Sequence, residues 1–449
     1  MLTAAGYALF IASLLFTSLY PALIVAKALR VPTQSTPSPR SGGGRSLAIV
    51  VPSRGEPLDM VVSRLGRLSS MGCYDEALLV LDDDIDYVRR LVARLGEGFF
   101  ARGVVVARTR GYGGRNGALT CGSRMALADS IMIVDVDTTP SQELLCAARA
   151  CEDVCVGVWN PYVETGRRIE EGMAYITGFG SWVFYELKSR LGLFVFPLGT
   201  GTVIDRRLLK SIGFWRADVV QDDIWLGCEL AARGVRPRLM GGYIEVGVPQ
   251  SLRAARIQQC RWSYGSSNVL SRFAGKLLGS PLGFLEKLEA VVYMAQPLAA
   301  VVALAAFVLA LAGSIAESGV SLSVLHLVPV ALSMAIQGAA LNLYGSRVRG
   351  LGTWRRVCLA GRVGAIYTLL SPLLGFYALR GLLRMRYRYR VTPKMLTGSS
   401  SIDAAEAVAL LLSLPTIALS ILNGNSVTLI IALPLALAAL YSIARLEKG

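Results

Sequence analysis

Apolar positions along the chain fall into two regimes. At both ends they form long, nearly unbroken runs, and between them they form short runs separated by stretches in which apolar residues recur at helical intervals. A hydrocarbon core of about 30 Å takes about 20 mostly apolar residues in a helix. Five runs meet or approach that length: 6–28, 290–313, 322–344, 404–422 and 427–444. The first has no basic segment ahead of it and no obvious cleavage site, and Lys27 and Arg30 follow it. It reads as a retained anchor whose C-terminal side is cytoplasmic. A sixth run, 363–379, is short and contains Pro372 and Gly375. Arg347, Arg349, Arg355, Arg356 and Arg362 precede it, and Arg380, Arg384, Arg386, Arg388 and Arg390 follow it. Both flanks favour the cytoplasmic side, so this segment is expected to be interfacial or re-entrant. Five spans then leave both arginine clusters and the C-terminal tail inside.

The organisation that follows is an N-terminal transmembrane helix (1–30), a Pro-, Ser- and Gly-rich linker (31–44) and a soluble domain (45–250). After it come an interfacial helix region (251–285), two transmembrane helices (286–346), an interfacial or re-entrant segment with a loop (347–402) and two more transmembrane helices (403–449). In the soluble block, 47–51, 77–81, 103–107 and 130–134 are expected strands, while 58–69, 87–95, 116–128 and 143–153 are expected helices. Alternation of this kind predicts an α/β fold with a mostly parallel sheet and right-handed crossovers. Ligands of such sheets bind beyond the carboxyl ends of the strands. Three of the four strands end in polar or acidic clusters: Pro52-Ser53-Arg54-Gly55-Glu56, Asp82-Asp83-Asp84 and Asp135-Val136-Asp137.

Composition narrows the chemistry. With 53% hydrophobic and 17% charged residues among 449, much of the chain should face lipid. The net charge of +15 belongs mostly to arginines flanking the membrane runs, and nucleic acid is not expected as a partner. The single histidine, His326, lies in an expected span, which excludes Ser-His-Asp and Cys-His catalysis and His-ligated metals. Any general base is then a carboxylate, and any metal is held by oxygen. Eight cysteines include no C-x-x-C pair. Cys146, Cys151 and Cys155 read as buried thiols on a helix or as one helix-adjacent disulfide.

Asp135 and Asp137 are separated by one residue and on an extended strand end would point the same way. Two such carboxylates repel each other unless a cation or a bound hydroxyl lies between them. Mg²⁺ or Mn²⁺, completed by phosphate oxygens and water, suits so open a pair; a solvated turn is the alternative for the bare tripeptide. Gln221-Asp222-Asp223 opens a helical stretch, where acidic residues are also favoured by the helix dipole.

Taken in order, the first-strand motif, Leu81-Asp82-Asp83, Gly114-Arg115-Asn116-Gly117-Ala118-Leu119, Asp135-Val136-Asp137, Gln221-Asp222-Asp223 and Gln258-x-x-Arg261-Trp262 resemble the family 2 inverting glycosyltransferases of GT-A fold. The resemblance is to the membrane-embedded branch with cellulose synthase, hyaluronan synthase and ceramide glucosyltransferase. Tyr389-Arg390-Val391-Thr392-Pro393-Lys394 is similar to the gating-loop motif of cellulose synthases. The resemblance implies a Rossmann-like GT-A domain between an N-terminal transmembrane helix and a C-terminal helical bundle. It implies that Ser53, Glu56, Asp82, Asp83, Arg115, Asp135, Gln258 and Arg261 hold a nucleotide diphosphate sugar, and that Asp137, with Asp135, holds the metal. Asp223 would be the general base, supported by Asp222, with Trp262 a platform for the acceptor. Tyr389, Val391, Thr392 and Lys394 would form a loop closing over the diphosphate.

The first-strand motif lacks the aromatic that in the family often meets the base, so guanosine is as acceptable as uridine. Arg115 stands where lysine is usual. The expected function is metal-dependent, inverting transfer of a hexose, of mannose or glucose class, from a GDP- or UDP-sugar to a lipid-linked acceptor. The acceptor would be a polyprenyl-phosphate-linked glycan or a glycolipid at the cytoplasmic face of the plasma membrane. The alternative is a processive polysaccharide synthase that also translocates its product; the small membrane part favours single addition.

Overall fold

Among the described residues eight strands make one sheet: β1 Leu47–Ser53, β2 Glu76–Leu81, β3 Val104–Arg108, β4 Ser130–Ile133, β5 Thr138–Pro140, β6 Val154–Tyr162, β7 Thr202–Asp205 and β8 Arg238–Gly247. The computed structural model describes residues 1–32, 44–100, 103–109, 113–389, 392–393 and 402–448. The strand order is β3-β2-β1-β4-β7-β6-β8-β5. Strands β1 to β4 pair in parallel, β7 runs antiparallel to both its neighbours, β8 pairs in parallel with β6, and β5 closes the edge antiparallel to β8.

All seven residues of β1 are buried, as a strand covered on both faces requires. Its side chains alternate: Ala48 and Val50 join one core cluster, Leu47, Ile49 and Val51 the other. The first face is covered by α4 (Gly114–Met125), α7 (Asp222–Ala232) and part of α8 (Leu252–Leu278), the second by α2 (Leu58–Ser69), α3 (Ile85–Leu95) and α5 (Gln142–Ala148). The helix α4 lies unusually close to the sheet. A Cβ on its Gly122 would come within 2.6 Å of Val50 Cγ1. Helix α6 (Arg168–Ser181) follows β6 and packs against it.

Beyond α8 come α9 (Phe284–Ala295), α10 (Leu298–Ala316), α11 (Val324–Arg347), α12 (Thr353–Leu382), α13 (Ala404–Leu422) and α14 (Val427–Tyr441). The run 290–313 is therefore not one span. It divides at Gln296-Pro297, because proline cannot continue the hydrogen-bond ladder of α9 and instead opens α10. Six helices, α1 (Leu2–Ala28), α10, α11, α12, α13 and α14 with its continuation to Leu446, are long and apolar enough to cross a membrane, which makes this a multi-pass membrane protein.

The segment 363–379 is part of a longer element: it lies inside the unbroken 30 residues of α12. Pro372 is tolerated because the Ser371 hydroxyl donates to the Thr368 carbonyl at 2.8 Å, taking the acceptor that a residue-372 N–H would have used. Both ends of α12 rest against helices that pack on the sheet, α6 and α8. Near its start, Arg355 and Arg362 pair with Glu171 of α6, and just past its end the Arg384 Nη2 donates to Ser271 O at 2.5 Å. Between these points α12 runs parallel to α8, with Tyr367 on Gln259 and Ser263 on the Leu374 carbonyl. At the opposite pole, Met1 pairs with Glu317 and Asn425 Nδ2 donates to Thr3 Oγ1 at 2.8 Å.

Among the described residues two disulfides form, Cys73–Cys146 and Cys151–Cys155, where buried thiols or one helix-adjacent disulfide were expected. The expected helix 143–153 stops at Ala148, and Cys151 and Cys155 are joined across the turn into β6.

Candidate active site

The parallel register sets Ser53 beside Leu81 and Leu81 beside Arg108, so the loops after β1, β2 and β3 leave the sheet at one edge. Ser53 is buried, and its Oγ has no hydrogen-bond partner among the described residues. Asp82 pairs with Arg54 at 3.2 Å and lines the cavity described below with Ser53 and Glu56. Asp83 does not line it. Its Oδ1 accepts from the Gly55 N–H at 2.7 Å and braces the turn where Gly55 takes φ +66°. Burial pushes the Asp83 carboxyl upward.

Arg115, in the first turn of α4, is the hub. Its Nε and Nη2 donate to Asp135 Oδ1 at 3.1 and 2.9 Å, its Nη1 to Asp222 Oδ2 at 2.6 Å and its Nη2 to Gly199 O at 2.5 Å. One guanidinium thus ties the end of β4 to the start of α7. Burial opposes its charge, but Asp135 and Asp222 more than offset this and raise its pKa. Asp135 is also shifted upward: burial and the Asp137 charge raise it while Arg115 lowers it. Asp135 and Asp137 do not sit on an extended strand end. The chain turns there, with Thr138 N–H donating to Asp135 O at 2.9 Å, and both carboxylates line the cavity.

Asp222 and Asp223 occupy the first turn of α7. Asn116 of α4 fixes the loop ahead of them, donating to the Arg216 and Val219 carbonyls at 2.7 and 2.9 Å. Asp223 Oδ1 accepts from the Ile224 N–H at 2.8 Å. Burial first, then the charge of Asp222, pushes its carboxyl up to about 7. Gly199 keeps the approach open, since a Cβ there would lie 3.6 Å from Asp223 Oδ2. Behind Asp223 the hydroxyls of Tyr185 and Tyr293 meet at 3.3 Å.

Helix α8, capped by the Ser251 hydroxyl on Ala254 N–H, brings Gln258, Arg261 and Trp262 to the same cavity. Arg261 Nη1 donates to Tyr389 OH at 3.2 Å, which places that loop residue over the site. Thr392 lines the cavity as well, with a buried Oγ1 that has no partner among the described residues; Val391 and Lys394 lie outside the described residues. Trp262 faces Trp159 of β6 with ring centroids 6.2 Å apart. Trp159 and Gly199 were not singled out from the sequence. The strand bearing Trp159 carries no run of the kind that marked the first four, and only the fold makes Gly199 matter.

Ser53, Glu56, Asp82, Arg115, the site carboxylates other than Asp83, and Gln258, Arg261 and Trp262 line one cavity of about 2580 Å³ that continues among α1, α10, α11, α12 and α14, where its lining becomes Phe10, Leu14, Phe307, Val330, Met334 and Ile431. Beyond that level the outer helix ends are laced together, with Asn425 Nδ2 on Gly313 O and Asn423 Nδ2 on Ser314 O. Among the described residues no three His, Cys, Asp or Glu side chains are grouped to hold a metal by themselves. The donor set does fit an ion that keeps most of its positions for a ligand: oxygen only, with Asp137 beside an Asp135 whose Oδ1 is taken by Arg115.

Residues 130–334 match the family described as "Glycosyl transferase family group 2". A curated relative from Sulfolobus acidocaldarius, described as a probable glycosyltransferase, is 28% identical over 360 residues, spanning 78% of this chain and 77% of its own. The solved mannosyltransferase PcManGT from Pyrobaculum calidifontis, in complex with GDP-Man and Mn²⁺, superposes with a TM-score of 0.59 at 19% identity, covering 86% of this chain and 100% of that one. That likeness establishes the fold. Over residues 130–334 the chain carries a family 2 glycosyltransferase match, and the protein is a glycosyltransferase with the GT-A fold.

Proposed function

We propose that the protein is an inverting, metal-dependent hexosyltransferase that moves mannose or glucose from a GDP- or UDP-sugar to a lipid-linked acceptor. The observation that carries this reading is the continuity of one cavity from the carboxylates into the membrane helices. A water-soluble donor has access from the strand ends, and a lipid-borne hydroxyl from the bilayer side.

In this reading Ser53, Glu56 and Asp82 hold the nucleoside, and Arg115, Gln258 and Arg261 donate to the diphosphate, for which the planar guanidinium is suited. A divalent ion held by Asp137, with Asp135, would neutralise charge on the leaving diphosphate. Asp223, poised near pH 7 by burial, takes the proton from the attacking hydroxyl, and Asp222 together with Arg115 fixes its helix turn. Trp262 and Trp159 form the platform for the acceptor sugar. Attack from the side opposite the diphosphate inverts the anomeric carbon. GDP-mannose is the first donor to test, because the first-strand turn offers no aromatic for a base and PcManGT is described in complex with GDP-Man and Mn²⁺.

The proposed topology is supported by α12. A span would put its ends on opposite sides of about 30 Å of hydrocarbon, yet both lie against helices that pack on the sheet. We read α12 as interfacial, with five spans, the catalytic domain in the cytoplasm and the Met1–Glu317 pole outside. The laced outer pole supports single addition over extrusion. The test is incubation of purified protein and Mn²⁺ with radiolabelled GDP-mannose or UDP-glucose and an extracted lipid fraction. One discrete glycolipid of inverted anomeric configuration is expected; a ladder of products, or retention of configuration, refutes the reading.

A further inference from the structure

The membrane arm of the cavity has a feature that the transfer reaction alone does not require. Three glycines line it: Gly338 on α11, and Gly361 and Gly364 on α12. At each, an added Cβ would find nothing within 4 Å. Their lack of side chains is therefore width in the cavity. Gly375 on the same helix is different, since a Cβ there would lie 2.2 Å from the Ala300 carbonyl, and its smallness serves close helix packing.

Gly361 and Gly364 lie three residues apart on one face of α12, and both are exposed. Helix α11 packs closely against α1 and α12, and among the described residues α14 is not one of its close packing partners. Met334 of α11 and Leu437 of α14 nevertheless line the same arm from its two sides. Both side chains are also largely exposed, so the arm reaches the lipid-facing surface between α11 and α14. Its shape bears on the occupant. The rise from residue 361 to 364 is about 4.5 Å, of the same order as the four-carbon spacing between methyl branches on an isoprenoid chain. A branched chain can seat its methyls where the side chains are missing, whereas a straight alkyl chain leaves those hollows empty and forfeits the contacts.

We propose that this arm binds the hydrocarbon chain of the acceptor, admitted between α11 and α14, and that Gly338, Gly361 and Gly364 fit it to a methyl-branched isoprenoid chain in preference to a straight alkyl chain. The proposal rests on the reading of a lipid-linked acceptor given above.

The test uses the full-length protein in nanodiscs of straight-chain phosphatidylcholine, without donor. It is photolabelled with phytanyl phosphate bearing a diazirine at the chain end and competed with unlabelled phytanyl phosphate or hexadecyl phosphate. Labelled peptides are expected from α11, α12 and α14, with phytanyl phosphate roughly tenfold the better competitor. Gly361→Leu and Gly364→Leu should each lower labelling by about tenfold, while Leu411→Phe, at a lipid-exposed position of α13, leaves it unchanged. Gly361→Ala guards against misfolding and should give a smaller fall in the same direction. Labelling elsewhere, equal competition by the two phosphates, or full labelling of both leucine variants overturns the proposal. Donor-dependent glycolipid formation is scored separately in the same discs. Transfer without these labelling effects overturns the slot alone, and slot labelling without transfer overturns the functional reading alone.

Discussion

Replacing Asp223 with asparagine should stabilise the protein while disabling it, and the stabilisation should depend on pH. Burial and Asp222 hold the Asp223 carboxyl at about 7 against 3.8 for an unperturbed aspartate. Each unit of that difference corresponds to about 1.4 kcal/mol. The folded state keeps its proton across this window while the unfolded state has already lost it. Stability attributable to the carboxyl is thus fully present at the acid end and falls as pH rises from about 4 to about 7, then stays level. The summed cost is about 4 kcal/mol at its largest, and about half of that once screening by water in the open cavity is allowed for. Asparagine does not titrate. Without metal or donor, the thermal midpoint of Asp223→Asn should exceed that of the parent by a gap that widens between pH 5 and pH 7 and is constant above, reaching about 2–4 °C. With donor and Mn²⁺ the variant should keep its donor affinity and lose about 10²- to 10⁴-fold in turnover, and the parent should lose activity as pH falls below about 7. A gap that does not change with pH, or substantial turnover by the variant, would refute the assignment of Asp223 as a buried base.

Three further outcomes are expected. Arg115→Met leaves Asp135 and Asp222 facing each other without the cation between them and should cost about 3–5 kcal/mol in denaturant unfolding; Arg115→Lys should restore part of this but not the simultaneous grip on both carboxylates. Asp137→Ala should abolish the Mn²⁺-dependent part of the thermal stabilisation by GDP or UDP, measured as the shift in midpoint with and without the ion. Cys73→Ser opens the link to Cys146, 73 residues along the chain, and should lower stability by up to about 4 kcal/mol on loop entropy, read as a lower unfolding midpoint and as the loss of any further effect of reductant at that link.

The first half of the sheet was legible because β1, β2 and β4 are continuous apolar runs bounded by polar clusters, a pattern that buried parallel strands impose. Strands β6, β7 and β8 were not. Strand β8 interrupts its run with Gly241 and Gly242, β7 has only four residues, and β6 mixes Trp159 and Asn160 with its apolar positions. The break at Pro297 was hidden because α9 packs Ala290 and Met294 inward while exposing Phe284, Leu285 and Leu288, so its apolar content blends into that of α10. Five of the six long apolar helices were recognised from run length, and the basic flanks of α12 marked it as unlike the others. The carboxylates of the site could be located by motif and strand end. Their common grip by Arg115 could not, since it joins segments 20 and 107 residues away from it in sequence.

That grip changes what nucleotide binding means for this enzyme. With Arg115 already satisfied by Asp135 and Asp222, a diphosphate does not meet a bare cation. In the proposed mode of binding it takes over part of a guanidinium that two carboxylates already occupy, so its arrival is an exchange of anions rather than an addition. Such an exchange releases fewer small ions to solvent than capture by open lysines would, and nucleotide affinity should accordingly vary little with ionic strength.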